Sequence, residues 1–193
     1  MRSSIRLFSE SCRRGLAGLA TVVLALASPS DAAAQATANG HQQIGGASGL
    51  PLPRFVSLKS DRVNLRNGPG TEYPTSWVFR RAGLPVELLQ EFEIWRQVRD
   101  AEGATGWVLQ SMLSGRRTAL ILPWEVKADQ PPLQVPLRSG DRETASPVAH
   151  VEAGVIANVR SCDGRWCLLS IGEFKGYIEQ KKLWGVYDGE VVE

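Results

Sequence analysis

The second half of the chain repeats the first. Leu65, Arg66 and Gly68 recur 72 residues later as Leu137, Arg138 and Gly140. Gly83 and Trp95 recur as Gly154 and Trp166 at an offset of 71. Gly106 and Leu113 recur as Gly176 and Leu183 at 70, with Trp107 answered by Tyr177. Two one-residue deletions in loops account for the drift. Such a period means two copies of one small unit rather than one large sandwich. Each copy spans about sixty residues, near the lower limit for a domain that folds alone, so packing the two together or adding a crosslink relieves that limit.

Within each copy the apolar residues come in short runs separated by Gly, Asp and Pro. Phe55–Leu58, Val63–Leu65, Leu84–Leu88, Trp95–Val98 and Gly106–Leu109 are strand-length, and several alternate apolar with polar. No stretch of ten or more residues keeps a helical period, so the class is all-β. An Asn-Leu-Arg strand runs into Asn67–Pro74, a long loop turned by Gly and stiffened by Pro. Two short strands, a hairpin into the Trp95 strand and Gly106-Trp107-Val108 follow, the order of a small barrel of five curved strands. The expected organisation is a leader at 1–36, a flexible spacer at 37–53, barrels at 54–117 and 118–187 (the second with a lead-in), and a tail at 188–193.

The N-terminus sets the expected compartment. Arg2, Arg6, Arg13 and Arg14 precede the apolar run Gly15–Ala27, and Ala34-Gln35-Ala36 supplies a small-x-small site. That is the pattern of a secretory signal peptide, cleaved after Ala36 or after Ala34. The apolar run is too short for the roughly 20 residues a spanning helix needs, and Cys12 lies before it, where no lipoprotein cysteine belongs. A soluble periplasmic product is expected, with no membrane association once the leader is gone. Of 22 basic and 20 acidic side chains, four and two lie in residues 1–36, which leaves a neutral remainder of 18 against 18. A neutral surface has no general attraction for nucleic acid or anionic lipid.

Beyond the leader only Cys162 and Cys167 remain, bracketing Asp163-Gly164, a dipeptide that favours a tight hairpin turn. In an oxidising compartment an even pair on facing strands reads as a structural disulfide. The alternatives are a metal pair, which lacks further ligands since His41 and His150 are the only histidines, and a redox pair, which wants two intervening residues rather than four. No metal or cofactor is expected.

Val63-Asn64-Leu65-Arg66-Asn67-Gly68-Pro69-Gly70-Thr71-Glu72-Tyr73-Pro74, with Trp95-Arg96-Gln97-Val98 and Gly106-Trp107-Val108, resembles the bacterial SH3 (SH3b) family over residues 55–117. The second copy keeps Leu137-Arg138-Ser139-Gly140, the Trp166 strand and Gly176-Tyr177-Ile178, but lacks the Pro-Gly. The resemblance implies SH3-like barrels used for binding, with peptidoglycan or its peptides as the first ligand class. An interaction module serving an envelope protein or complex is the alternative.

The resemblance and the chemistry of the side chains mark Arg66, Tyr73, Trp95 and Trp107, with Arg138, Trp166 and Tyr177 as counterparts, as ligand-binding candidates. Each has a structural alternative. Trp95 and Trp166 can fill the barrels, whose small cores need large buried side chains. Arg66 and Arg138 can grip a ligand carboxylate with their planar forks, or pair with Asp61 and Asp141. Gly68-Pro69-Gly70 lacks the Gly-Lys-Ser/Thr ending of a phosphate loop and reads as a turn. The Pro and Tyr that build a polyproline groove in eukaryotic SH3 domains are replaced by Leu109-Gln110-Ser111-Met112 and Glu179-Gln180-Lys181-Lys182. His150 is the only histidine in the barrels and no nucleophile–base constellation stands out, so a non-enzymatic protein is expected.

Overall fold

The computed structural model describes residues 43–193; the expected leader, with both expected cleavage sites, and residues 37–42 of the expected spacer lie outside the described residues. Among the described residues there is no α-helix, only strands and three single turns of 3-10 helix. The strands in chain order are β1 (Gln43–Ile44), β2 (Pro51–Leu52), β3 (Arg54–Leu58), β4 (Val63–Arg66), β5 (Thr75–Phe79), β6 (Pro85–Phe92), β7 (Trp95–Arg99), β8 (Thr105–Leu109) and β9 (Leu113–Ser114). The second copy follows with β10 (Thr118–Ile121), β11 (Gln134–Arg138), β12 (Pro147–Glu152), β13 (Ile156–Asp163), β14 (Trp166–Ile171), β15 (Phe174–Glu179) and β16 (Leu183–Trp184), then β17 (Val191–Val192).

The two copies have one topology. The first sheet runs β5-β4-β8-β7-β6-β3-β9 and the second β12-β11-β15-β14-β13-β10-β16, all antiparallel. Alternation explains the strands: Val63 and Leu65 of β4 point inward while Asn64 faces solvent, and Gly106 and Val108 of β8 do the same against Thr105. Register shifts fall at matching places, Leu88/Gln90 in β6 and Val159/Ser161 in β13. A bulge there bends a long strand and increases its twist, which rolls each sheet around its own core. Leu58, Val63, Leu65, Val86, Val98 and Val108 fill the first core. Ile121, Leu137, Cys167, Leu169 and Ile178 fill the second.

Both barrels belong to one compact unit, joined by specific contacts. Phe55 packs edge-on against Trp184, with ring centroids 5.2 Å apart, and against Tyr187 at 4.7 Å. The Tyr187 hydroxyl donates to Glu87 Oε1 at 3.0 Å, while the Arg99 guanidinium engages the other carboxylate oxygen. Burial first, then the Glu87 charge and hydrogen bond, push the Tyr187 phenol well above its usual range. Thr118 Oγ1 donates to the Gly83 carbonyl at 2.8 Å. A Cβ at Gly185 would lie 2.3 Å from the Thr118 carbonyl oxygen, so only glycine fits there. Sixty-residue barrels near the size limit thus share buried surface.

Two expectations about the chain ends are corrected. Residues 43–53 are not a free spacer. The β1–β2 hairpin stands there, Leu52 is buried in the first core, and Glu91 grips the loop between the two strands. That carboxylate, 1 % exposed, accepts from Ser48 Oγ at 2.6 Å, from Ser48 N at 2.8 Å and from Arg54 at 2.9 Å. Burial alone would raise the Glu91 pKa; the hydrogen bonds from Ser48 and Arg54 and the charge of Arg96 outweigh it and hold the group at about 2. Likewise 188–193 is not a loose tail. Val191 and Val192 pair with β13, and Glu190 accepts from both terminal guanidinium nitrogens of Arg117, Nη1 and Nη2, at 2.8 and 3.0 Å. Composition made 43–53 look like a linker because its anchor, Glu91, is a single distant side chain.

Cys162 and Cys167 sit directly opposite on β13 and β14, their Cα atoms 4.1 Å apart, and form the expected disulfide. The turn differs by one residue from the sequence expectation: Gly164-Arg165 occupies its centre, with Gly164 at φ +94°. Asp163 flanks it and accepts from the Trp166 and Arg165 amides at 2.7 and 2.8 Å. Those two donors lower the Asp163 pKa.

Candidate functional site

Strand β4 ends at Arg66, whose guanidinium turns back over the Asn67–Pro74 loop. It donates to the Thr71 and Tyr73 carbonyls at 3.1 and 2.7 Å, and Asn67 N donates to the Pro74 carbonyl at 3.1 Å. Arg138 repeats this in the second copy, donating to the Ala145 carbonyl at 2.8 Å. Asp61 and Asp141 form no ion pair with either arginine. Both forks hold loops, a role that neither the carboxylate-binding nor the local-pair expectation contained.

Trp95 and Trp166 are 6 % and 5 % exposed, but neither is among the residues that fill the barrel cores. Alternation along β7 and β14 puts each indole on the face opposite core Val98 and Leu169. Tyr73 is half exposed and covers Gly68, where an added Cβ would lie 2.4 Å from the phenol ring. Trp107 is half-buried and pairs across the sheet with Arg66, as Tyr177 pairs with Arg138. Of the candidates in the first copy, Arg66 and Trp95 meet in one depression of 140 Å³, with Thr71, Leu109 and Met112. Tyr73 and Trp107 are not part of its lining. That volume is below the 300–1,000 Å³ or so typical of ligand sites.

A larger concavity lies elsewhere on the first barrel. It encloses about 760 Å³ and runs along β5, from Ser76 to Phe79, into the β5–β6 turn with Arg80 and Arg81. The β7–β8 turn, with Asp100 and Glu102, forms a further part of the wall, and Leu84, Pro85 and Leu120 supply apolar surface near the junction. Trp77 stands in it 61 % exposed. Period-two alternation puts Trp77 on the same face as buried Phe79 and opposite core Leu65, but β5 is the edge of its sheet and leaves the indole open. The Asp100 carboxylate is occupied, accepting from the Glu102 and Ala104 amides at 3.1 and 2.8 Å and so shaping the turn. Arg81 donates to the Gly154 carbonyl at 2.9 Å. Arg80 and Glu102 are exposed and form no ion pair among the described residues.

The second copy does not offer the same wall. Its pairing register puts Ala149 at the Trp77 position, since Leu65 faces Trp77 and Leu137 faces Ala149. The two deletions that shift the repeat fall in the two turns that line the groove. Arg80-Arg81-Ala82 is answered by Glu152-Ala153, and the segment between Arg99 and Thr105 is one residue longer than that between Ser170 and Lys175. Sequence reasoning found the deletions but did not connect them to a site. The usable signal was an aromatic in one copy, beside extended turns, answered by alanine in the other.

Among the described residues no group of three or more His, Cys, Asp or Glu is placed to hold a metal ion. His150 is exposed on β12.

No curated protein matches the chain. Among solved structures, NlpC2 and NlpC1 of Trichomonas vaginalis each share 14% identity with it, at TM-scores of 0.29 and 0.28. The matches cover 68% and 72% of this chain, which spans about half of each of those structures (48%). A family model described as "Bacterial SH3 domain" matches residues 59–115 and 132–185, one region in each barrel. Those regions omit β3 and β10, the first strand of each barrel, and still cover more than half of the chain. The chain belongs to the bacterial SH3 domain family.

Proposed function

We propose that this is an exported, periplasmic, non-catalytic protein that binds cell-wall peptidoglycan or its peptides through its first barrel. The observation that carries this reading is an open, Trp-bearing groove of ligand-binding size on one of two bacterial SH3 domains. The disulfide suits an oxidising compartment. It also consumes both cysteines among the described residues, so neither is available as a thiolate nucleophile. His150 has no side-chain hydrogen bond to a serine or a carboxylate among the described residues, which supports a binding rather than a catalytic role.

The test is co-sedimentation with purified peptidoglycan sacculi across a salt series. Saturable retention that survives moderate salt is the expected result. Protein left wholly in the supernatant defeats the wall reading and moves the search to an envelope protein partner, by crosslinking in the periplasm. Release of soluble wall fragments during the incubation would overturn the non-catalytic part.

A further inference from the structure

The geometry points to the β5 groove, rather than the Arg66–Trp95 depression, as the ligand site, and to a wall stem peptide in extended form as its occupant. The inference rests on the wall-binding reading and narrows it to one surface of one barrel. Three observations lead there. β5 is the terminal strand of its sheet and pairs only with β4, so its outer backbone groups are free to pair with an added strand. Trp77 offers a mostly exposed indole beside that edge, a large rigid surface for a short aliphatic side chain. Arg80 on one turn and Glu102 on the other are unpaired charges of opposite sign in the same lining.

A stem peptide matches that set. It carries methyl groups, free carboxylates and a free amino group along an extended backbone. A carboxylate suits the Arg80 fork, an ammonium suits Glu102, and a methyl suits the Trp77 face. A bare glycan strand is the poorer fit. It has no backbone amides to pair with β5 and no ammonium for Glu102, and the groove offers one exposed tryptophan rather than a row of stacking platforms. The second barrel, with Ala149 and shorter turns, lacks the constellation.

The test uses the full protein with sacculi, and with two soluble competitors: a synthetic stem tetrapeptide and glycan strands stripped of peptide by amidase. Trp77→Ala is expected to bind sacculi about tenfold more weakly, as loss of a central aromatic contact does. Glu102→Gln and Arg80→Gln should each weaken retention severalfold. Trp124→Ala, an exposed tryptophan outside the groove, should bind like wild type, and the tetrapeptide should compete. Because Trp77 is exposed, its variant should keep the wild-type circular dichroism; if it does not, the two charge variants decide. Wild-type affinity in all three variants overturns the groove while leaving wall binding intact. Competition by bare glycan and not by peptide overturns the occupant. A wild-type protein that ignores sacculi defeats the wall reading and this inference together.

Discussion

The two barrels close the same cross-strand position with different chemistry. In the first, Glu91 on β6 faces Arg96 on β7; one repeat later, Cys162 on β13 faces Cys167 on β14. Each position also fastens an end of the described chain. Glu91 holds the β1–β2 loop through Ala47 and Ser48, while β13 pairs with β17 at Cys162 and Val192. A carboxylate accepts about four hydrogen bonds, so one side chain can serve Arg96, Arg54 and a loop at once. A disulfide has no such capacity, and the segment it neighbours is held by backbone pairing and by the Arg117–Glu190 pair. The comparison teaches that a bent strand leaving a small barrel exposes an edge that needs cover. An ionic closure can also recruit the cover, whereas a covalent one leaves that task to the backbone.

The largest expected effect comes from removing the ionic closure. Glu91→Gln keeps the shape but leaves Arg96, 2 % exposed, without its anion. Breaking a buried pair by removing one partner costs about 3 kcal/mol or more. Arg96 keeps bonds to the Glu93 and Trp95 carbonyls and to Gln110, which argues for the lower end. The lost midpoint should appear in urea unfolding. The pH profile gives the sign independently. A folded pKa of about 2 against an ordinary 4.5 means the unfolded chain binds more protons between those values. Stability from Glu91 is therefore full above about pH 4.5 and is lost as pH falls towards 2. The shift corresponds to about 3 kcal/mol at full strength and about 2 after screening by solvent near the exposed loop. Wild type should weaken over that window more steeply than Glu91→Gln. Parallel profiles would show that the carboxylate is not paired as described.

Removing the covalent closure should cost less. The disulfide closes only a short loop, and the chain-entropy estimate for one so small is about 2 kcal/mol. Cys162→Ala with Cys167→Ala, or reduction by dithiothreitol, should lower the free energy of unfolding by that much, read from urea unfolding. A loss larger than that of Glu91→Gln would reverse the ranking and make the covalent closure the dominant one.

The clamp on the C-terminal segment should matter least for stability. The Arg117–Glu190 pair is partly exposed, at 26% and 22%, and such a pair contributes about 1 kcal/mol or less. Glu190→Gln should speed amide exchange at Val192, where β17 pairs with β13, with little change in global unfolding. Exchange that stays at the wild-type rate would show that backbone pairing alone holds the segment.

These contrasts mark what a sequence can reveal in such a chain. The repeat, the strand order, both barrels and the disulfide were legible because each follows from local pattern or from the offset of one copy against the other. The terminal hairpin and β17 were not, since two-residue strands carry no alternation and their anchors, Glu91 and Arg117, lie far away in sequence. Arg66 and Trp95 were found as candidates but not placed. A side chain that braces its own loop and one that binds a ligand carry the same letters. Trp77 was missed for a related reason: one aromatic in a strand reads as core until the fold shows that the strand is the edge of its sheet.

The last prediction asks whether Trp77 or its surroundings make the difference between the barrels. Ala149→Trp places an indole at the matching register of the second barrel, and it can be tested in a Trp77→Ala background. If an exposed aromatic on an edge strand were enough, binding to sacculi should return. The expected result is no gain. The turns beside Ala149 are each one residue shorter, and the β14–β15 hairpin turns through Gly172-Glu173, with Ile171 paired directly to Phe174. An indole there would have an edge strand beside it but no extended turn to complete the wall. Ala149 is partly buried against the second core, so the larger indole should cost about 1 kcal/mol or more. Circular dichroism must show the variant folded before its binding is read. Restored binding would assign recognition to the strand and its aromatic, and would make the longer turns of the first barrel incidental. Continued loss would locate the specialisation of the first barrel in its longer turns and the charges they carry, Arg80 and Glu102.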